Sequence, residues 1–165
     1  MKILTPTVKG IITGLIMIAV SITVYYFEAL NEKFLAPLSY LIYIAGIVWT
    51  LVAFSNQEVL KSLKTYFSQG FKCFIMVTFL MVIYNIIFIK LSPSIIEENA
   101  QQTREELIKL GTKTQSEIDT IVLQSKEYYT TIVTSVAIFW YLAIGSITTL
   151  VASFILLNKP RKKVL

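Results

Sequence analysis

Four runs of apolar residues, each long enough to cross a bilayer, constrain this chain more than any other feature of its sequence. A helix advances about 1.5 Å per residue, so roughly 20 mostly apolar residues span the hydrocarbon core. The runs are GIITGLIMIAVSITVYYF (Gly10 to Phe27), LAPLSYLIYIAGIVWTLVAF (Leu35 to Phe54), FKCFIMVTFLMVIYNIIFIK (Phe71 to Lys90) and YYTTIVTSVAIFWYLAIGSITTLVASFILL (Tyr128 to Leu157). The last exceeds one span, so its start projects or tilts, and its crossing part is centred on 133–154. Composition agrees: 55% of the residues are hydrophobic and 15% charged, with a mean hydropathy of +0.68. That balance lies outside the range of soluble globular domains.

The first run follows a short basic start carrying Lys2 and Lys9. A cleaved signal peptide would end in small residues at paired positions, whereas this run ends Tyr25, Tyr26, Phe27, Glu28, Ala29. It is also longer than a usual signal core, and it is expected to stay as an anchor.

Charge then orients the threading. One side holds Lys2, Lys9, Lys61, Lys64, Lys72, Lys159, Arg161, Lys162 and Lys163 against Glu58 alone. The other holds Lys33, Lys90, Arg104, Lys109, Lys113 and Lys126 against Glu28, Glu32, Glu97, Glu98, Glu105, Glu106, Glu117, Asp119 and Glu127. Basic residues stay cytoplasmic, which places both termini inside and the 91–127 insert outside. The tail NKPRKKVL reads as a topology anchor rather than a specific lipid or nucleic-acid site.

The insert is punctuated as a helical hairpin over about 93–127. Ser92 is placed to cap its first arm, Pro93 suits the first helical position, and Gly111 suits the left-handed residue that stops it. Ile96, Ala100, Thr103, Leu107 and Leu110 form one thin apolar stripe, and Glu105 can pair with Lys109 across a turn. Thr114-Gln115-Ser116-Glu117 is a capping box that starts the second arm, which continues through Ile118, Ile121, Val122 and Ser125 into the fourth span. The stripe is either the seam of a solvated connector or a partner-docking face formed by Ile96, Ala100, Leu107 and Leu110. The 55–72 connection carries another capping box, Ser55-Asn56-Gln57-Glu58, followed by Val59, Leu60, Leu63 and Phe67 on one side. It is expected to form a short interfacial helix that Gly70 breaks.

Chemistry is conspicuous for what is missing from the sequence. There is no His and one Cys, Cys73, so disulfides, thiolate cages and imidazole bases lack their residues. The expectation is no cofactor, no metal and no catalytic residue, hence no enzyme. None of the four spans is expected to hold a buried ionisable group of the kind that proton- or sodium-coupled transport requires. Asn85 is the most polar residue within a span and is assigned to helix-to-helix hydrogen bonding. Gly145, Thr149 and Ser153 recur every four residues, a smooth strip for close helix packing within the monomer or between copies. Trp49, Trp140 and Tyr141 are expected in the bundle core, and Tyr25, Tyr26, Tyr40, Tyr43, Tyr128 and Tyr129 include the interfacial belt.

The order of elements adds a resemblance. Two closely spaced spans lead through a basic turn to YFSQGFKCF, then KLSPSIIEE, TKTQSEID and a last span ending ILLNKPRKK. This resembles the uncharacterised four-helix membrane family called "domain of unknown function 4199", known chiefly from Bacteroidota, over roughly Val8 to Lys159. The resemblance implies the four-span threading and carries no catalytic residues to transfer.

The expected fold is therefore an all-α membrane protein of the bacterial inner membrane. A single domain over 1–165 would hold spans at about 10–27, 35–54, 71–90 and 133–154, with a periplasmic helical hairpin between the third and fourth. The expected function is that of a non-enzymatic accessory or structural subunit whose partners are the lipid bilayer and other membrane proteins or itself, and not nucleic acid. The alternative is a small carrier or channel for an apolar or amphipathic compound, with an aromatic cavity around Trp49, Asn85 and Trp140. Fusing a reporter after Leu165 tests the threading: it should be active only in a form that works in the cytoplasm.

Overall fold

Apolar surroundings offer no water to a peptide group, so a chain of this composition must close its backbone hydrogen bonds within each segment. The computed structural model describes residues 4–27, 32–57 and 62–158, with backbone alone for 26, 27 and 32–36. Among these residues every element is an α-helix: α1 (Pro6–Phe27), α2 (Glu32–Ser55), α3 (Leu63–Leu91), α4 (Ser94–Leu110) and α5 (Gln115–Asn158). Four of the five, α1, α2, α3 and α5, are long and apolar enough to cross a membrane. The residues form two compact units, one within 1–81 and 139–165 and the other 82–138.

In the first unit, small residues set the packing. Helices surrounded by lipid gain little from burying apolar surface against one another, so close fit decides which faces meet. Thr13 of α1 occupies the space that a side chain at Gly46 of α2 would need, and Thr149 of α5 does the same at Gly70 of α3. Around these seats Met17, Tyr43, Ile47, Leu51, Tyr66, Phe74 and Val77 are buried. Leu15, Leu41, Phe79, Ile147, Val151 and Phe154 point outward, as lipid-facing side chains do.

Gly70 thus does not break a helix. It lies within α3, which starts at Leu63, where Ser62 and Thr65 exchange side-chain and backbone hydrogen bonds of 2.8–3.4 Å. The close approach of Thr149 explains why a glycine is needed inside that helix. Leu63 and Phe67, assigned from sequence to a separate interfacial helix, are the first turns of α3. Val59, Leu60 and Glu58 lie outside the described residues.

In the second unit, α4 packs on the beginning of α5. Ala100, Ile118 and Val122 are buried together with Leu107 against them. The entry to α4 departs from expectation. Ser92 does not cap it: its N–H bonds to the Phe88 carbonyl at 3.0 Å and so completes α3. Pro93, rather than filling the first helical position, is the cap residue and offers no side-chain hydrogen bond. With only two residues between the helices, Ser92 falls one position before the cap, and its carbonyl accepts the Ile95 N–H at 3.2 Å. The exit follows the sequence reading, with Gly111 at φ 62° and its N–H on the Ile108 carbonyl. The Thr114–Glu117 box also forms, the Thr114 N–H donating to the carboxylate at 2.8 Å and the Glu117 N–H to the Thr114 hydroxyl at 3.4 Å.

Replacing Gly46 by Ala should force α1 and α2 apart at Thr13. A loss of about 1–3 kcal/mol is expected for such overpacking, measured by denaturant titration of the detergent-solubilised protein followed by circular dichroism.

Candidate functional site

The Gly145–Thr149–Ser153 strip lies inside the first unit. Thr149 and Ser153 are fully buried, and Gly145 faces the Tyr43 hydroxyl and the Phe74 ring. The Tyr43 hydroxyl donates to the Tyr141 carbonyl at 2.8 Å, one helical turn before Gly145. The Tyr43 and Tyr141 rings meet edge to face at 5.4 Å. An added methyl at Gly145 would occupy the position of that hydroxyl, so the strip serves a contact with α2 and α3 of the same chain.

The buried hydroxyls of this unit mostly satisfy themselves. Thr13, Thr50 and Thr78 each donate to the carbonyl four residues earlier, at 2.8–3.0 Å, and Ser153 does likewise to Thr149. This back-bonding lets a polar residue sit in an apolar helix without a partner elsewhere. The Cys73 thiol is buried, 3.3 Å from the Thr50 hydroxyl. Among the described residues there is no cluster of three metal-ligating side chains.

Two expectations change. Trp49 and Trp140 do not fill the core: they are 43% and 50% exposed, because the small-residue seats bring the backbones too close to admit an indole between them. Tyr141 is buried as expected. Lys9, one residue before the apolar run that starts at Gly10, lies in the first turn of α1 and is only 4% exposed, its ammonium 5.5 Å from the centre of the Trp49 ring. Asn85 is half-buried on α3 in the second unit and takes no part in the hydrogen bonds among the described residues, so it does not supply the interhelical bond assigned to it.

The hairpin stripe is likewise used internally. Ala100 and Leu107 face α5, Ile96 is half-buried, and Leu110 alone of the four stands 66% exposed. Arg104 pairs with Asp119 at 2.7 Å and Lys126 with Glu97, joining the two arms at two levels along that seam. The Glu105–Lys109 pair is loose, at 3.8 Å on an exposed face, and contributes at most a few tenths of a kcal/mol. What the hairpin leaves outward is a different set, Ile108 at 54%, Leu110 at 66% and Leu123 at 68% exposed. A stripe read from one helix could not show this, because the face that meets the partner arm depends on how the two arms pack. A shallow open depression of about 230 Å³ lies between Lys113, Ser116, Glu117, Thr120 and Ile121.

The family model described as "Protein of unknown function (DUF4199)" matches residues 9–158. No curated protein and no solved structure matches the chain.

The Thr114 backbone N–H, and after it the Thr114 hydroxyl, hold the Glu117 carboxyl below the usual glutamate range. A depressed folded value means that the cap stabilises the start of α5 above the ordinary glutamate pKa and is lost as pH falls through the lower, folded one. The protection factors of the Thr114 and Glu117 amides, relative to the intrinsic exchange rate at each pH, should therefore fall selectively in acid. Thr114→Ala should lower the Glu117 protection factor already at neutral pH.

Proposed function

Because the chain belongs to a family described only as of unknown function, we propose its role from its own surfaces: a non-enzymatic accessory subunit that binds other membrane proteins through its hairpin. The observation that carries this is the exposure of Ile108 and Leu110 on α4, which is not one of the four candidate spans, and of Leu123 on α5 ahead of the apolar run that begins at Tyr128. Large side chains facing lipid need no explanation, but three of them on a charged hairpin are apolar area that water disfavours and a protein partner would cover. The hairpin is braced for such contact by two ion pairs and a buried seam, so little order is lost on binding.

The lysine and arginine bias supports placing both termini in the cytoplasm of a bacterial inner membrane and the hairpin in the periplasm. The carrier alternative finds less support, since Trp49 and Trp140 turn outward. Flux abolished by Asn85→Ala or Trp140→Ala in vesicles would restore it.

Photo-crosslinking in cells from positions 108, 110 and 123, followed by mass spectrometry, should give one recurrent membrane-protein partner. Leu110→Ser with Leu123→Ser should remove the crosslinked band, at an expected loss of about 1–3 kcal/mol of binding for each anchor removed. Only lipid adducts, or only random products, would sink the proposal.

A further inference from the structure

Lys9 poses an electrostatic problem that the rest of the fold leaves open. A charge taken out of water is costly unless an opposite charge or several hydrogen bonds meet it. Lys9 is 4% exposed, yet every ion pair among the described residues lies in the hairpin, and none involves Lys9. The next residue, Gly10, lies against the Cys73 carbonyl, and the face of Trp49 lies 5.5 Å from the Lys9 nitrogen. An indole face attracts a cation but leaves its charge uncancelled. Among the described residues the ammonium makes neither a hydrogen bond nor an ion pair, so the anion that its charge calls for has to come from outside them.

We propose that Lys9 and Trp49 form a binding site for the phosphate of an anionic phospholipid at the membrane face where α1 begins. Side chains on a helix slope toward its N-terminus, so Lys9 carries its ammonium toward the first amides of α1. There Pro6 has no N–H, Val8 has only a long 3.4 Å contact to the Thr5 hydroxyl, and the helix end adds positive potential. The apolar run starts at Gly10, which puts Lys9 at headgroup depth, and a half-exposed tryptophan favours the same level. Val48 and Val52, exposed beside Trp49 on α2, offer acyl chains a surface that free phosphate would not use. Lys72 provides the contrast. It precedes Cys73, whose carbonyl meets Gly10, so it lies at a similar level, but it is exposed and can reach water without a partner. The site is independent of any partner of the hairpin.

The test uses the full chain in mild detergent with Trp140→Phe, which leaves Trp49 as the sole tryptophan. Phosphatidylglycerol should change Trp49 emission saturably, and phosphatidylcholine should do so at least about fivefold more weakly, the worth of one lysine near an anionic headgroup. Lys9→Gln should erase that preference, Lys9→Arg should keep it, and Lys72→Gln should leave it within about twofold. Native mass spectrometry of the unaltered chain should show phosphatidylglycerol retained over phosphatidylcholine, a readout that stands if Lys9→Gln fails to fold. Equal response to both lipids, an unchanged preference in Lys9→Gln, or an equal loss in Lys72→Gln would overturn the site. Saturation of the same emission change by inorganic phosphate alone would overturn the lipid as its occupant.

Discussion

The seating of a threonine on a glycine across two helices is the contact on which the first unit rests. Thr13 on Gly46 joins α1 to α2, and Thr149 on Gly70 joins α5 to α3. In water such a seat would be a minor detail beside the burial of leucine and phenylalanine. In lipid those large side chains are as well placed outside as inside, and the backbone distance that a glycine permits becomes the main source of dispersion contacts. The hydroxyl of each seated threonine is a second requirement. Thr13 turns it back onto the Lys9 carbonyl, while Thr149 leaves its own buried without a partner.

This arrangement explains where the bulky aromatics go. Tyr43 enters the interior because its hydroxyl can bond a carbonyl beside Gly145, and Tyr66 because its ring stands edge-on to Phe54 at 5.2 Å. The two tryptophans are left outside, Trp49 under a lysine and Trp140 edge-on to Phe139 at 5.8 Å. Among the described residues of the first unit, Lys9 over the indole is the buried formal charge, lying within the packed surface rather than beyond it.

The helices, the hairpin, Gly111 and the Thr114 box were legible because each rests on local chemistry: run length, left-handed glycine, and a hydroxyl three residues before a carboxylate. The spacing of Gly145, Thr149 and Ser153 likewise marked a face, though which helix meets it is a matter of assembly and cannot be read from period alone. Gly70 was misread as a break because glycine carries two meanings, and only the approach of Thr149 decides between them. Ser92 was misread because α4 begins one residue later than the serine would set it, with Pro93 in the cap position. Lys9 was missed because charge next to an apolar run is usually solvated, and nothing in the linear order announces that Trp49 folds over it.

Cys73 is the sole cysteine of the chain, and it is fully enclosed against Thr50 and the Gly46 carbonyl. Sulfur so placed is shielded from polar alkylating reagents, which act on exposed thiolate. The native protein is thereby a silent background for thiol chemistry. A cysteine engineered at an accessible position would be the one group that a membrane-impermeant maleimide could modify, and the side from which it reacts would map the threading residue by residue.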